Sequence, residues 1–175
     1  METILTAHNN IPESTGLAIQ VLQLECDLGR LTKKTIDSIT ISIERGILDL
    51  SVIDSLNKLM NLKNQGKCPE LNLVDLHKIT NALIQNPAYQ AHNQQLANLH
   101  IFSAFIYQKQ ENLNLTIQNL EIAVKLDPQL NTFLLISAYL FSANLYNEAS
   151  EHLQSALLHT PKNPLVRQTW IKEIN

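Results

Sequence analysis

Four groupings in this chain have residue types that could do chemistry. Gly29-Arg30-Leu31-Thr32-Lys33-Lys34-Thr35 ends in Lys-Thr, as a phosphate-binding loop does. Such a loop needs a glycine just before the lysine and a strand leading into it, so that backbone N–H groups can cradle phosphate oxygens. Both are missing here, and the segment is expected to be a turn between helices. Glu148, Glu151, His152 and His159 stand at spacings of three, four and seven residues, which on a helix would gather metal ligands on one side. Ala149, Leu153 and Ala156 already mark the packed side of that helix, so the Glu and His residues are expected in solvent and no metal is assigned. His92 and His100 lie about 80° apart around a helix and read as surface or boundary histidines. Cys26 and Cys68 have two readings: a small apolar helix residue plus a loop thiol, or a disulfide tying the first helix to the loop before the fourth, which requires an oxidising compartment. Neither has the second thiol or nearby histidine of a zinc site. With no nucleophile elbow and no glycine-rich dinucleotide turn, no catalytic residue and no cofactor are expected, unless the chain is one part of a larger enzyme.

Composition narrows the classes further. The chain has 175 residues, 45% hydrophobic and 17% charged, with a formal net charge of −3. That charged fraction is low for a soluble domain. Asn and Gln fill much of the polar surface instead, so the long-range field is weak. Scattered basic residues on an acidic chain do not give the clustered Lys and Arg that displace counterions from nucleic acid, and nucleic acid is not an expected partner. No apolar run approaches a bilayer span, and no charged segment followed by an apolar stretch opens the chain. Membrane insertion by this chain is not expected. Met1 to Asn10 reads as an interior stretch of a longer protein, whose other parts could carry a tether.

The elements that would position these residues are helices. Leu17, Val21, Leu24 and Leu28 form one helix face after Pro12-Glu13-Ser14-Thr15, ended by Gly29. Thr32 can cap a second helix with Ile36, Ile39 and Ile43 inward, although its β-branched residues disfavour helix. Ser51 starts a third with Val52, Leu56, Leu59 and Met60 inward. Lys67-Cys68-Pro69-Glu70 is a loop, since a residue before proline avoids helical angles. Asn72, with Asp75 three residues on, can cap a fourth helix carrying Leu73, Leu76, Ile79, Ala82 and Leu83. Asn86-Pro87 punctuates, a long helix runs from about Tyr89 to about Lys109, and Asn163-Pro164 opens a closing helix with Val166, Trp170 and Ile174. The expected organisation is a flexible start or chain boundary at 1–12, a helical part at 13–87, and repeated hairpins with a cap at 88–175.

A helical hairpin is written twice in the last part. His100 to Tyr107 reads against Leu134 to Phe141 at an offset of 34, while Thr116, Leu120, Ala123 and Pro128 read against Ala149, Leu153, Ala156 and Pro161 at 33. The missing residue is expected in the turn between the helices. This pattern resembles degenerate tetratricopeptide repeats over about residues 97–161. In that family a small residue and an aromatic on the first helix pack against alanine, a large apolar residue and alanine on the second, with proline after it. Ala104 and Tyr107 would then meet Thr116, Leu120 and Ala123, and Ala138 and Phe141 would meet Ala149, Leu153 and Ala156. Thr116 replaces the usual alanine, and His100 and Leu134 stand where that family places a tryptophan-like residue.

The resemblance implies an all-α, right-handed stack of about nine helices in α-α hairpins. It implies a concave groove of Asn98, Ile101, Phe105 and Gln108 from one repeat and Thr132, Leu135, Tyr139 and Ser142 from the next. No cation lies in this set, so it cannot clamp a carboxylate. The groove is either core, covered by other helices, or it receives a protein or peptide segment. The chain is cytoplasmic by default. On Cys26, Lys67-Cys68-Pro69 and the repeat pair it also resembles the soluble tails of polytopic bacterial glycan polymerases or ligases, which would put it on the periplasmic face of a membrane protein.

Overall fold

The computed structural model of this chain describes residues 14–159, and within them the fold is all-α. The helices are α1 (Thr15–Asp27), α2 (Lys33–Glu44), α3 (Val52–Asn64), α4 (Leu73–Gln85), the single turn α5 (Pro87–Gln90), α6 (Asn93–Lys109), α7 (Leu113–Leu126), α8 (Leu130–Ser142) and α9 (Tyr146–His159). The expected start at 1–12, Pro161, and the closing helix with Val166, Trp170 and Ile174 lie outside the described residues.

Local chemistry sets most of these boundaries. Ser14 and Thr32 accept hydrogen bonds from Leu17 N and Thr35 N at the starts of α1 and α2. Asn72 and Asp75 form a reciprocal capping box on α4. Gly29 and Gly66 adopt positive φ just past α1 and α3, where a Cβ would strain the backbone. The Gly29 to Thr35 segment is the expected turn between helices, and two of its three cations are committed: Arg30 pairs with Glu25 at 3.1 Å, and Lys33 pairs with Asp75.

Among the first four helices, α1 packs on α3 and α2 packs on α4, and the members of each pair run parallel. Thr15 at the start of α1 meets Ile47, ahead of α3, and Cys26 at its end is bonded to Cys68 just past α3. Likewise Lys33 and Asp37 of α2 meet Asp75 and Lys78 of α4 in the same order, the second pair at 2.6 Å. The two cysteines thus form a disulfide, with both residues buried, and the reading of Cys68 as a free loop thiol gives way. After α5 the chain returns antiparallel along α4 as α6, pairs with α7, and repeats the hairpin as α8 and α9, with α7 packed on α8.

Two principal hydrophobic clusters result. One gathers α1 to α5 with Leu99, Phe102 and Ile106 of α6. The other gathers Ala104, Leu120, Ile136, Leu140 and Ala149, while Phe133 and Ala156 make a small satellite. Apolar side chains line α6 on two sides, so it serves both main clusters.

Three expectations shift. The buried face of α1 is Ala18, Ile19, Val21, Leu22 and Cys26, whereas Leu28 is exposed. The helix packs on both α2 and α3, and the pattern of Ile19, Leu22 and Cys26 wins over the overlapping one of Leu17, Leu24 and Leu28. The long helix is broken at Ala91 and His92 into α5 and α6. Tyr89 is fully buried there. The missing residue of the second hairpin is not in the turn: both turns have three residues, with Glu111 and Asn144 at positive φ in the middle. The buried positions Leu99, Phe102, Ser103 and Ile106 match Phe133, Ile136, Ser137 and Leu140 at 34, so the deletion falls in the last turn of α8.

At the first turn of α1 a chain of hydrogen bonds adds to the apolar packing. Asp49 N–H donates to the Tyr89 hydroxyl (3.2 Å), which lies 2.8 Å from Thr15 Oγ1, and Thr15 in turn donates to Ile47 O (3.0 Å). With Tyr89 as donor to Thr15, every hydroxyl donates once and no group is left unpaired. Asn86 Nδ2 donates to Ile43 O and Gly46 O, and its Oδ1 caps α5. Gly16 leaves room for Asp49 at this seam: a Cβ there would sit 1.8 Å from Asp49 Oδ2 and force that side chain to move.

The Cys26–Cys68 bond spans 42 residues, and closing a loop of that size removes denatured-state entropy. Replacing both cysteines by serine is expected to lower the unfolding free energy by roughly 2–4 kcal/mol, measured by urea denaturation against the oxidised parent.

Candidate functional site: a cleft between α6 and α8

A concavity among the described residues lies where the two hairpins meet. Ala104, Phe105 and Gln108 come from α6, Thr116 and Leu120 from α7, and Leu135, Ala138, Tyr139 and Ser142 from α8. Its volume is about 200 Å³, which suits an apolar side chain or two.

The floor follows from close packing. Ala104, Thr116 and Leu120 are buried, and the small Ala104 lets α7 approach α6 closely. Thr116, in a place where a methyl would suffice, donates its hydroxyl to Asn112 O at 2.8 Å and lies 3.5 Å from Ala104 O. Its polarity is therefore spent within the backbone. Phe105 follows Ala104 by one residue, about 100° around the helix, and is left 42% exposed on the rim. Across from it, Tyr139 is half-buried, and Ser142 turns its hydroxyl back to Tyr139 O at 2.7 Å.

Five of the eight expected groove residues, Phe105, Gln108, Leu135, Tyr139 and Ser142, line this cleft. The other three lie elsewhere. Thr132 is buried, Ile101 packs against the second cluster, and Asn98 is half-buried one turn above. Ala138, expected to face Ala149 and Leu153, is instead exposed in the cleft wall, and Ile136 and Leu140 take the buried positions with Ala149. Ala104 is covered by α8; among the described residues no helix follows α9 to do the same for Ala138. Tyr107, expected against α7, reaches α4, where its hydroxyl is 3.0 Å from His77 Nε2. Phe141 lies on the second cluster and meets Tyr146 edge to face at 4.9 Å.

The other chemical groupings do not assemble a site. His100 Nδ1 is held by Asn119 Oδ1 at 2.9 Å, and His92 is exposed at the start of α6. Glu148 and Glu151 are exposed, and His152 is half-buried, its pKa held below the usual histidine value by burial, with Glu121 and Glu151 pulling the other way. Among the described residues no three His, Cys, Asp or Glu side chains are gathered as for a metal ion. None of those residues forms a helix long and apolar enough to cross a membrane.

No family model matches this chain, and no curated protein matches it in sequence. The cleft must be interpreted from its own chemistry.

If the rim is free surface and the floor is core, two truncations separate them. Leu120→Ala should cost about 2–5 kcal/mol of stability, whereas Phe105→Ala should cost about 1 kcal/mol or less, both read from denaturant midpoints at constant m.

Proposed function

We propose that this chain is a protein-interaction module, a right-handed stack of tetratricopeptide-like hairpins that takes an apolar segment of a partner protein into the cleft between α6 and α8. One observation carries the reading: Phe105 stands exposed opposite Tyr139 over a floor closed by Leu120. Large apolar side chains left in water around a concavity are the usual mark of a surface that binds. The lining has no charged residue, so an anionic ligand would go unpaired there. An amphipathic helix or extended segment presenting one or two apolar side chains satisfies both the shape and the neutrality. The amides and hydroxyls of Gln108 and Ser142 at the edge suit a partner's backbone.

A photo-crosslinking residue in place of Phe105 should couple a discrete protein in the source cells, and the same residue in place of the exposed, remote Val74 should not. Equal labelling from both positions would sink the reading.

A second reading concerns where the module works, and the disulfide favours it. A bridge between two buried cysteines forms and persists in an oxidising compartment. The chain would then be the soluble C-terminal portion of a larger bacterial envelope protein of the glycan polymerase or ligase kind, its cleft serving assembly. Protein isolated from its native compartment without reductant should show no free thiol under denaturant. Two free thiols would return the chain to the cytosol.

A further inference from the structure

His77 of α4 and Tyr107 of α6 meet on the joint between the two halves of the fold. Their rings lie 4.9 Å apart at 56°, and Nε2 is 3.0 Å from the tyrosine hydroxyl. The other ring nitrogen, Nδ1, is shut away from water with no hydrogen-bond partner. A neutral imidazole tolerates this: the hydroxyl donates to Nε2 or accepts from it, and one ring nitrogen stays idle. An imidazolium does not, because it must carry an N–H on Nδ1 that finds no acceptor, together with a charge that finds no counter-charge.

Among the described residues no charged side chain is hydrogen-bonded or ion-paired to His77. Three elements pack on α4. From α2 come Lys33 and Asp37, already paired with Asp75 and Lys78 of α4 itself, and Glu44, whose charge acts on Lys78. From α5 comes Tyr89, whose hydroxyl is held by Thr15 and Asp49. From α6 comes Tyr107, and no charged side chain bonds His77.

We propose that His77 and Tyr107 form an acid-sensitive latch across the α4–α6 joint, so that protonating His77 expels its ring toward water and frees the last turns of α6. Those turns carry Phe105 and Gln108, so the wall of the cleft loosens with them; this consequence rests on the cleft reading, while the latch itself does not. Burial alone holds the histidine's pKa below its ordinary value. The latch therefore stabilises the joint fully above about pH 6.5 and weakens as the pH falls.

The test is amide hydrogen exchange by NMR on the full chain from pH 7.5 to 5.5, corrected for intrinsic exchange chemistry. Amides from Phe102 to Lys109 should open several-fold more often per pH unit as the pH falls from about 6.5 through the histidine's own titration, with tenfold as the limit for one proton. His77→Phe keeps a ring and removes the titration, so this pH slope should vanish while His152 still titrates on α9. Tyr107→Phe should raise exchange of the same amides already at pH 7.5. An unchanged slope in His77→Phe overturns the proposal. If that variant does not fold, the His77 ring resonances of the parent decide: protonation without faster exchange in α6 overturns it equally. Neither result involves a partner, so the cleft reading stands or falls separately.

Discussion

The fold depends on α6 burying two faces at once. Leu99, Phe102 and Ile106 belong to the cluster under the first five helices, and Ala104 belongs to the cluster under the last four. A helix on a protein surface can keep one polar face, and α6 has little room for one. Neither half can shed this helix without baring a core. The same constraint generates the cleft: Ala104 must be small for α7 to nestle against α6, and the next side chain around, Phe105, is directed outward over the gap to α8.

Much of the architecture was legible because capping and periodicity are local. Asn72 with Asp75, Thr32, Gly29 and Gly66 announce helix ends through short-range hydrogen bonds or backbone freedom, and each does so in the structure. The face of Ile36, Ile39 and Ile43 was readable for the same reason, and tertiary burial overrode the poor helix propensity of α2. What failed was long-range. In α1 two overlapping apolar faces compete, and only the positions of α2 and α3 choose between them. Nothing near Tyr89 or Asn86 reveals that they would tie α1, the α2–α3 loop and α5 together across some 40 to 74 residues of sequence. Tyr107 has the residue type of a hairpin contact, but its partner on α4 is chosen by the antiparallel return of the chain.

The candidate site was legible at one remove. Repeat phase groups Phe105, Gln108, Leu135, Tyr139 and Ser142, and these five line one concavity. It misplaced Ala138, because the pattern says which residues are small but not which neighbour covers them. It also could not tell that the polar atoms in the cleft are mostly committed. Thr116 and Ser142 both return their hydroxyls to nearby backbone carbonyls, so what the cleft offers an occupant is mainly apolar area and shape. Specificity in such a site comes from fit more than from charge.

The covalent bridge has a mechanical consequence as well. It joins the end of one helix to the loop beyond its parallel neighbour, across 42 residues of chain. Force applied at the two termini therefore bypasses the enclosed α2 and α3 and runs through the sulfurs. An oxidised molecule stretched to full length would be shorter than its reduced counterpart by roughly 140 Å, at about 3.4 Å per residue. For a protein tethered at a surface, that shortfall keeps nearly a quarter of its sequence out of the load path.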